Sequence, residues 1–259
     1  MAIYEGMPEK KYRAMEGINQ SSFKDLARSP AHYHYAQQHK PKPTSAMIVG
    51  SAFHARVLEP DRYAEEFMIC DASTRTTKKY KEMAKDSEGA DIILAAEAEQ
   101  VEAMARAIED SYAYDLIDTT HKEVSLDWDH DGIKCKARLD CVEPGQYIAD
   151  VKTIVSGDRD TFTKQAADYL RHIQAAYYSD GWAANTGESL PFIFVCVEKD
   201  PPHCVSVYQF SAKAISLGRE QYTRYLNMIR ACRDYDIWHG YEEDIQVVDL
   251  PAWYTKKGN

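Results

Sequence analysis

Near residue 120 the spacing of apolar residues changes from a helical repeat to strict alternation. The stretches "EVSLDWD" (123–129), "IKCKARLDCV" (133–142) and "YIADVKTI" (147–154) each read as a strand. Asp131-Gly132 and Pro144-Gly145 are turn pairs between them, so the three predict an antiparallel meander. A hairpin this tight leaves its register little freedom. With the turn centred near Pro144-Gly145, Asp140 falls almost opposite Asp150. Asp150 and Lys152 are two residues apart and project from one face of their strand.

The flanking segments are mostly helical. "INQSSFKDLARSPAHYHYAQQHK" (18–40) predicts two short helices separated at Ser29-Pro30. "AMIVGSAFHARVLEP" (46–60) predicts a helix ending before Pro60, with Gly50 allowing close approach of a neighbour. Residues 71–90 are polar and basic at their start, and are expected to be a mobile loop. "AAEAEQVEAMARAIEDSYAY" (95–114) is an amphipathic helix of good helix formers. After the meander, one long helix is expected over 158–185, stopped by Gly187. Strands follow at 192–199 and 204–210, joined through Pro201-Pro202, then a helix over 211–236. This order predicts one α/β domain over 1–259, with a mostly helical part (1–114) and an α/β core (115–259).

Composition narrows the classes. The 259 residues suffice for one sizeable core, and 44% hydrophobic with 28% charged residues predicts a soluble globular chain. The longest apolar runs, such as "FIFVCV" (192–197), are too short to span a bilayer, and the first residues carry no apolar signal segment. The six cysteines include no C-x-x-C pair, which favours a reduced, cytoplasmic setting over a disulfide framework. The spacing of His32, His34 and His39 puts no ligand set on one helical face, so they read as surface histidines. A net charge of −10 argues against a general nucleic-acid coat protein. It leaves room for an enzyme that holds metal on carboxylates and confines its basic residues to one channel.

On their own, Asp140, Asp150 and Lys152 fit either a salt-bridge set on a sheet face or a cation site. Two close carboxylates repel, and a cation between them relieves that repulsion. Oxygen ligands with open positions suit Mg²⁺, with Mn²⁺ as a substitute.

Two further stretches add specificity. Asp140…Asp150-x-Lys152 resembles the PD-(D/E)xK nuclease motif. "GSAFH" (50–54) before it and "QAAYY" (174–178) after it resemble the G-x-x-x-H and Q-x-x-x-Y elements of the RecB-like branch, in that branch's order. Together with "GINQSSFKDLARSPAHY" and "LPAWY", the chain from about residue 12 to 253 resembles RecE-type exodeoxyribonucleases of phages and prophages (exonuclease VIII). Leu139 stands where the family name has proline, and Asp150 takes the (D/E) position.

The resemblance implies a restriction-endonuclease-like core, a central mixed sheet flanked by helices. It implies that His54, Asp140, Asp150 and the Val151 carbonyl bind metal, two Mg²⁺ ions in all, and that Lys152 acts on the attacking water. Gln174 and Tyr178 would contact DNA near the cut phosphate or brace the site. Glu123, at the start of the first strand, is a candidate additional acid. Arg138 shares parity with Asp140 and is a candidate phosphate contact, as are Arg75, Lys78 and Lys79 in the polar loop. No Fe–S cluster is expected.

The implied activity is 5′→3′ degradation of one strand of linear duplex DNA, in the bacterial cytoplasm, by a homo-oligomeric ring. The partners are double-stranded DNA ends and a single-strand annealing protein. A RecB-like endonuclease, a 3′→5′ exonuclease and a catalytically silent DNA-binding protein are the competing readings.

Overall fold

The protein is described here from a computed structural model over residues 1–39, 41–87 and 90–251. In chain order its elements are β1 (Ala2–Tyr4), α1 (Glu9–Ala14), α2 (Ser22–Leu26), α3 (Pro30–Gln38), α4 (Ser45–Leu58), α5 (Pro60–Glu66), β2 (Phe67–Cys70), α6 (Lys78–Asp86), β3 (Asp91–Leu94) and α7 (Ala95–Glu109). A 3₁₀ turn (Tyr114–Leu116) leads into β4 (His121–His130), β5 (Ile133–Glu143) and β6 (Tyr147–Ile154). Then come α8 (Arg159–Asp168), α9 (Arg171–Thr186), β7 (Phe192–Glu198), β8 (Val205–Gln209) and α10 (Ala212–Tyr235).

The main sheet has the order β1-β4-β5-β6-β7-β8. Only β6 and β7 run parallel, because α8 and α9 carry the chain back between them. The other neighbours are antiparallel, so the sheet is mixed, with helices on both faces. One face packs against α2, α8, α9 and α10 through residues such as Leu126, Trp128, Phe162, Tyr177 and Phe194. The other packs against α4 and α7 through Phe53, Val101, Ile108, Val151 and Val195. Each face therefore has its own apolar layer, the arrangement that lets a sheet be buried on both sides.

The meander and the turns lie where their residues predict them. Ser29 and Pro30 do not merely separate two helices. They are the N-cap and first residue of α3, with Ser29 accepting the His32 N–H.

Three expectations are corrected, and one strand of the main sheet, β1, is new. The long helix over 158–185 is two helices, broken where Leu170 takes a left-handed backbone (φ 55°) with no glycine or proline nearby to announce it. The segment expected to be a mobile loop holds helix α6, capped by Thr77, and is flanked by the small parallel sheet of β2 and β3. β1, three residues at the N-terminus, adds an edge strand to the main sheet beside β4. Gly50 does not admit a close neighbour, since a Cβ there would meet nothing within 4 Å. "LPAWY", apart from its first two residues, lies outside the described residues. No described helix is long and apolar enough to cross a membrane.

Candidate metal centre

Three acidic residues lie in a row across neighbouring strands. The β4–β5 register pairs Lys122 with Cys141 and Val124 with Leu139, which sets Glu123 opposite Asp140. The β5–β6 register pairs Cys141 with Ala149, which sets Asp140 opposite Asp150 at the next step. Neither pairing includes Asp140, so the ladder opens on both of its sides. Two local devices keep it open. Glu123 has a left-handed backbone (φ 52°), unusual for a side chain of this size. The Asp140 carboxylate accepts the Val151 N–H at 2.8 Å, replacing a strand partner with a side chain. Leu139 and Val142 both join the apolar layer under α9 while Cys141 joins the other, so alternation along β5 slips at this row.

Helices from both faces supply the remaining groups. From α4, His54 brings Nδ1 to 3.6 Å from Asp140 Oδ2. From α9, Gln174 donates to Asp150 Oδ1 at 2.7 Å, and Tyr178 lies near enough to feel the charges of Asp150, Asp140 and Glu123. On β6, Lys152 Nζ is 2.5 Å from Asp150 Oδ2. That contact is an ion pair by distance only; Asp150 Oδ2 is buried and accepts no hydrogen bond of good geometry. Above the row opens a cavity of about 780 Å³, whose wall includes His54, Glu123, Arg138, Lys152, Tyr12 and Gly50.

The electrostatics follow from crowding charge in a buried place. Burial, then the neighbouring charge of Asp140, pushes the Glu123 carboxyl up to about 7, against the pull of Arg138. Burial and the charge of Asp150 raise Asp140 likewise. His54 is lowered, first by burial and then by Lys152, with the Val151 backbone pulling the other way. Burial draws the Lys152 ammonium down, yet Asp150 and Asp140 outweigh it and leave the pKa raised. Lys152 is therefore held as a cation.

His54, Glu123 and Asp140 each offer a ligand atom, all within 4.8 Å of one another. Asp150 Oδ2 is buried and held by the Lys152 ammonium alone. Crowded carboxyls raised by burial and by one another are what a hard divalent cation would relieve, so the donor set fits one.

The structure brings His54, Glu123, Asp140, Asp150, Val151, Lys152, Gln174 and Tyr178 together. Glu123 is the third residue of its strand rather than its opening, and its place in the row comes from the register. Arg138 reaches the cavity wall but is buried and already engaged. It is paired with Glu123 and Glu59 and donates to Ser125 Oγ at 3.2 Å and to the Met7 carbonyl at 2.6 Å. It is a partner of the acid row rather than a free phosphate contact.

Arg75, Lys78 and Lys79 do not line the cavity. Arg75 makes two hydrogen bonds to Glu97, at 2.6 and 2.7 Å, while Lys78 pairs with Glu82 and Lys79 with Asp71. The sequence reasoning missed Arg171 and Tyr12. Arg171 precedes Gln174 by three positions, a helical spacing that could have revealed it. Tyr12 lines the cavity from α1, and nothing in its local pattern marks it.

Comparison with solved structures bears on the fold. The crystal structure of an Eubacterium rectale protein, described provisionally as an exonuclease, is similar over 97% of this chain and 97% of that chain. Its TM-score is 0.69 and its identity 17%, which speaks for a shared fold. A second structure, of SSO0001, overlaps over 82% of this chain and 88% of that chain with 14% identity and a TM-score of 0.27, too weakly to bear on the fold. No curated protein matches the sequence. Residues 19–251 match the family described as "PDDEXK-like domain of unknown function (DUF3799)". The match covers the acid row, Lys152, His54 and the α9 stripe, and the chain belongs to that family and, through it, to the PD-(D/E)xK superfamily.

Proposed function

We propose that the protein is a metal-dependent deoxyribonuclease. Its most specific form is a RecE-type 5′→3′ exonuclease that degrades one strand of linear duplex DNA and leaves 3′ single-stranded tails for recombination. The observation that carries the reading is the row Glu123–Asp140–Asp150 with Lys152 at one end and His54 beside it, next to a cavity that Glu123, Lys152 and His54 line. The PDDEXK-like family match and the exonuclease description of the Eubacterium rectale neighbour support it.

His54, Glu123, Asp140, Asp150 and the Val151 carbonyl would hold Mg²⁺, which when bound supplies an acidified water and charge neutralisation at the scissile phosphate. The chain's own groups do the rest. Gln174 fixes one oxygen of Asp150, and Lys152 lies against the other. Lys152, kept protonated by the two aspartates, orients the water or stabilises negative charge on the phosphate. Arg138 holds Glu123 in the row from behind. A homo-oligomeric ring, an annealing partner and a cytoplasmic site of action complete the proposal, and they rest on the resemblance to RecE-type enzymes.

The test is digestion of linear duplex labelled at the 5′ or the 3′ end, with Mg²⁺, beside the Lys152→Ala variant. Mg²⁺-dependent loss of the 5′ label before the 3′ label, abolished in the variant, is the expected result. Undiminished cleavage by the variant overturns the mechanism. Loss of the 3′ label first replaces the polarity with that of a 3′→5′ enzyme.

A further inference from the structure

Arg171 opens α9 one turn before Gln174 and lies on the same stripe as Gln174 and Tyr178. It is only 8% exposed. Its Nε and Nη1 are buried without a hydrogen-bond partner, and no carboxylate among the described residues pairs with it. Its charge acts on Lys152 and on Cys196, which faces Lys152 across the β6–β7 register. Two cations thus share the end of the site away from Glu123. Asp150, the acid on which Lys152 rests, already serves Gln174 and Lys152. An unpaired guanidinium beside a second buried cation is costly unless an anion joins them.

The placement is built rather than incidental. Leu170, in its left-handed conformation, turns the chain so that α9 begins at Arg171. Gly218 of α10 then lies so close that a Cβ would meet the His172 carbonyl oxygen at 2.3 Å, which locks the start of α9 in position. Outside Arg171 stands Tyr169, 55% exposed, with the guanidinium carbon 5.7 Å from its ring centroid. Lys24 Nζ is 5.4 Å from the same ring. An exposed aromatic ring set between two cations suits an unpaired strand, whose bases stack while its phosphates meet positive charge. Arg171 is not on the wall of the large cavity; it lies beside it, next to Lys152.

Resting on the nuclease reading, we infer that Arg171, with Tyr169 and Lys24 outside it, forms a subsite for the phosphate next to the one cleaved. Nη2, the one guanidinium nitrogen not buried without a partner, meets a non-bridging oxygen of that phosphate, and the charge behind it is neutralised. Tyr169 offers its face to the adjoining base, and Lys24 continues the positive track.

Binding is measured by fluorescence anisotropy with the full-length protein and a 5′-phosphorylated duplex bearing a short single-stranded end. Ca²⁺ replaces Mg²⁺, and salt is varied. Arg171→Met should weaken binding about tenfold or more, the scale of losing a charged hydrogen bond. It should also lower the slope of log affinity against log salt by about 0.7–0.9, the signature of one lost phosphate contact. Its Tm should stay level or rise, since the change removes an unpaired buried charge. Arg171→Lys should recover the slope but only part of the affinity. Tyr169→Ala, at an exposed position, should weaken binding without moving the slope.

A fall in Tm for Arg171→Met with an unchanged slope makes the residue structural and overturns the inference. So does an unchanged slope in Arg171→Met at unchanged Tm, or wild-type affinity in both Arg171→Met and Tyr169→Ala. In those cases the wild type still binds and, with Mg²⁺, still cuts, so the nuclease reading stands. A wild type that neither binds nor cuts the duplex overturns both.

Discussion

The acid row lies between two helices that are seated in opposite ways. α9 is locked. A Cβ on its Gly181 would meet the Trp128 ring at 2.7 Å, and Gly218 of α10 sits against the backbone of His172. α4 is anchored by Ala52, Phe53, Ala55 and Leu58 in the other apolar layer, while its Gly50 faces the open cavity. The locked helix carries Gln174, which must hold one oxygen of Asp150 to hydrogen-bond precision. The open helix carries His54, on the side where a substrate needs room. Rigidity and space are thus divided between the two faces of one sheet.

That contrast can be broken from either side. The largest effect is expected at the acid the locked helix holds. Asp150→Asn should lower Mg²⁺-dependent cleavage at least about 100-fold, the scale of losing one fixed electrostatic group. End-label digestion checks it, and wild-type rates would show that the α9 side does not position the chemistry. Next, Gly218→Ala should force α10 away from α9 and cost about 1–3 kcal/mol or more in stability. Urea unfolding reads this directly, and an unchanged midpoint would mean that α9 is not locked.

A third experiment probes the row between the helices. Folded Glu123 and Asp140 bind protons more tightly than their unfolded forms. From the ordinary carboxylate range up to about 7 the folded state therefore holds more protons, and the metal-free protein should lose stability as pH rises through that window. The Tm without divalent ions should be lower at pH 8 than at pH 5.5, with Mg²⁺ narrowing the gap. A gap that Mg²⁺ leaves untouched would separate the row from metal binding. The smallest effect is expected at the open helix. Gly50→Ala should be neutral or stabilise by up to about 1 kcal/mol, from helix propensity alone. A loss of stability there would reveal a neighbour that closes the cavity.

The parts of this arrangement differ in how far the sequence reveals them. The Asp140–Asp150 relation was legible because Pro144-Gly145 sets the hairpin register, and register is local information. Glu123 was only a candidate, since its place depends on a second register and on a left-handed backbone that no residue type announces. The break at Leu170 was invisible for the same reason; tertiary packing against α10 imposes it on a good helical pattern. β1, β2 and β3 are three or four residues each and are stabilised by partners distant in the chain, so their own composition carries little signal. Arg75 looked free because its partner, Glu97, lies 22 residues away. Arg138 looked free because its partners come from β4, the junction of α4 and α5, and the N-terminal segment.

The N-terminal wall of the cavity has one more property. α1 contains no buried residue. What attaches it is charge: Glu9 pairs with Arg62 and Arg13, Arg62 with Glu59, Glu59 with Arg138, and Arg138 with Glu123. Lys136 adds hydrogen bonds to the carbonyls of Tyr12, Arg13 and Met15. A wall attached this way is tethered at its inner end to an acid of the proposed metal centre. Glu123 thus has two claims on its carboxylate, the Arg138 guanidinium that ends this chain of charges and the proposed metal centre beside it. The mouth of the cavity and its floor are joined by one chain of ion pairs, and they share a single acid.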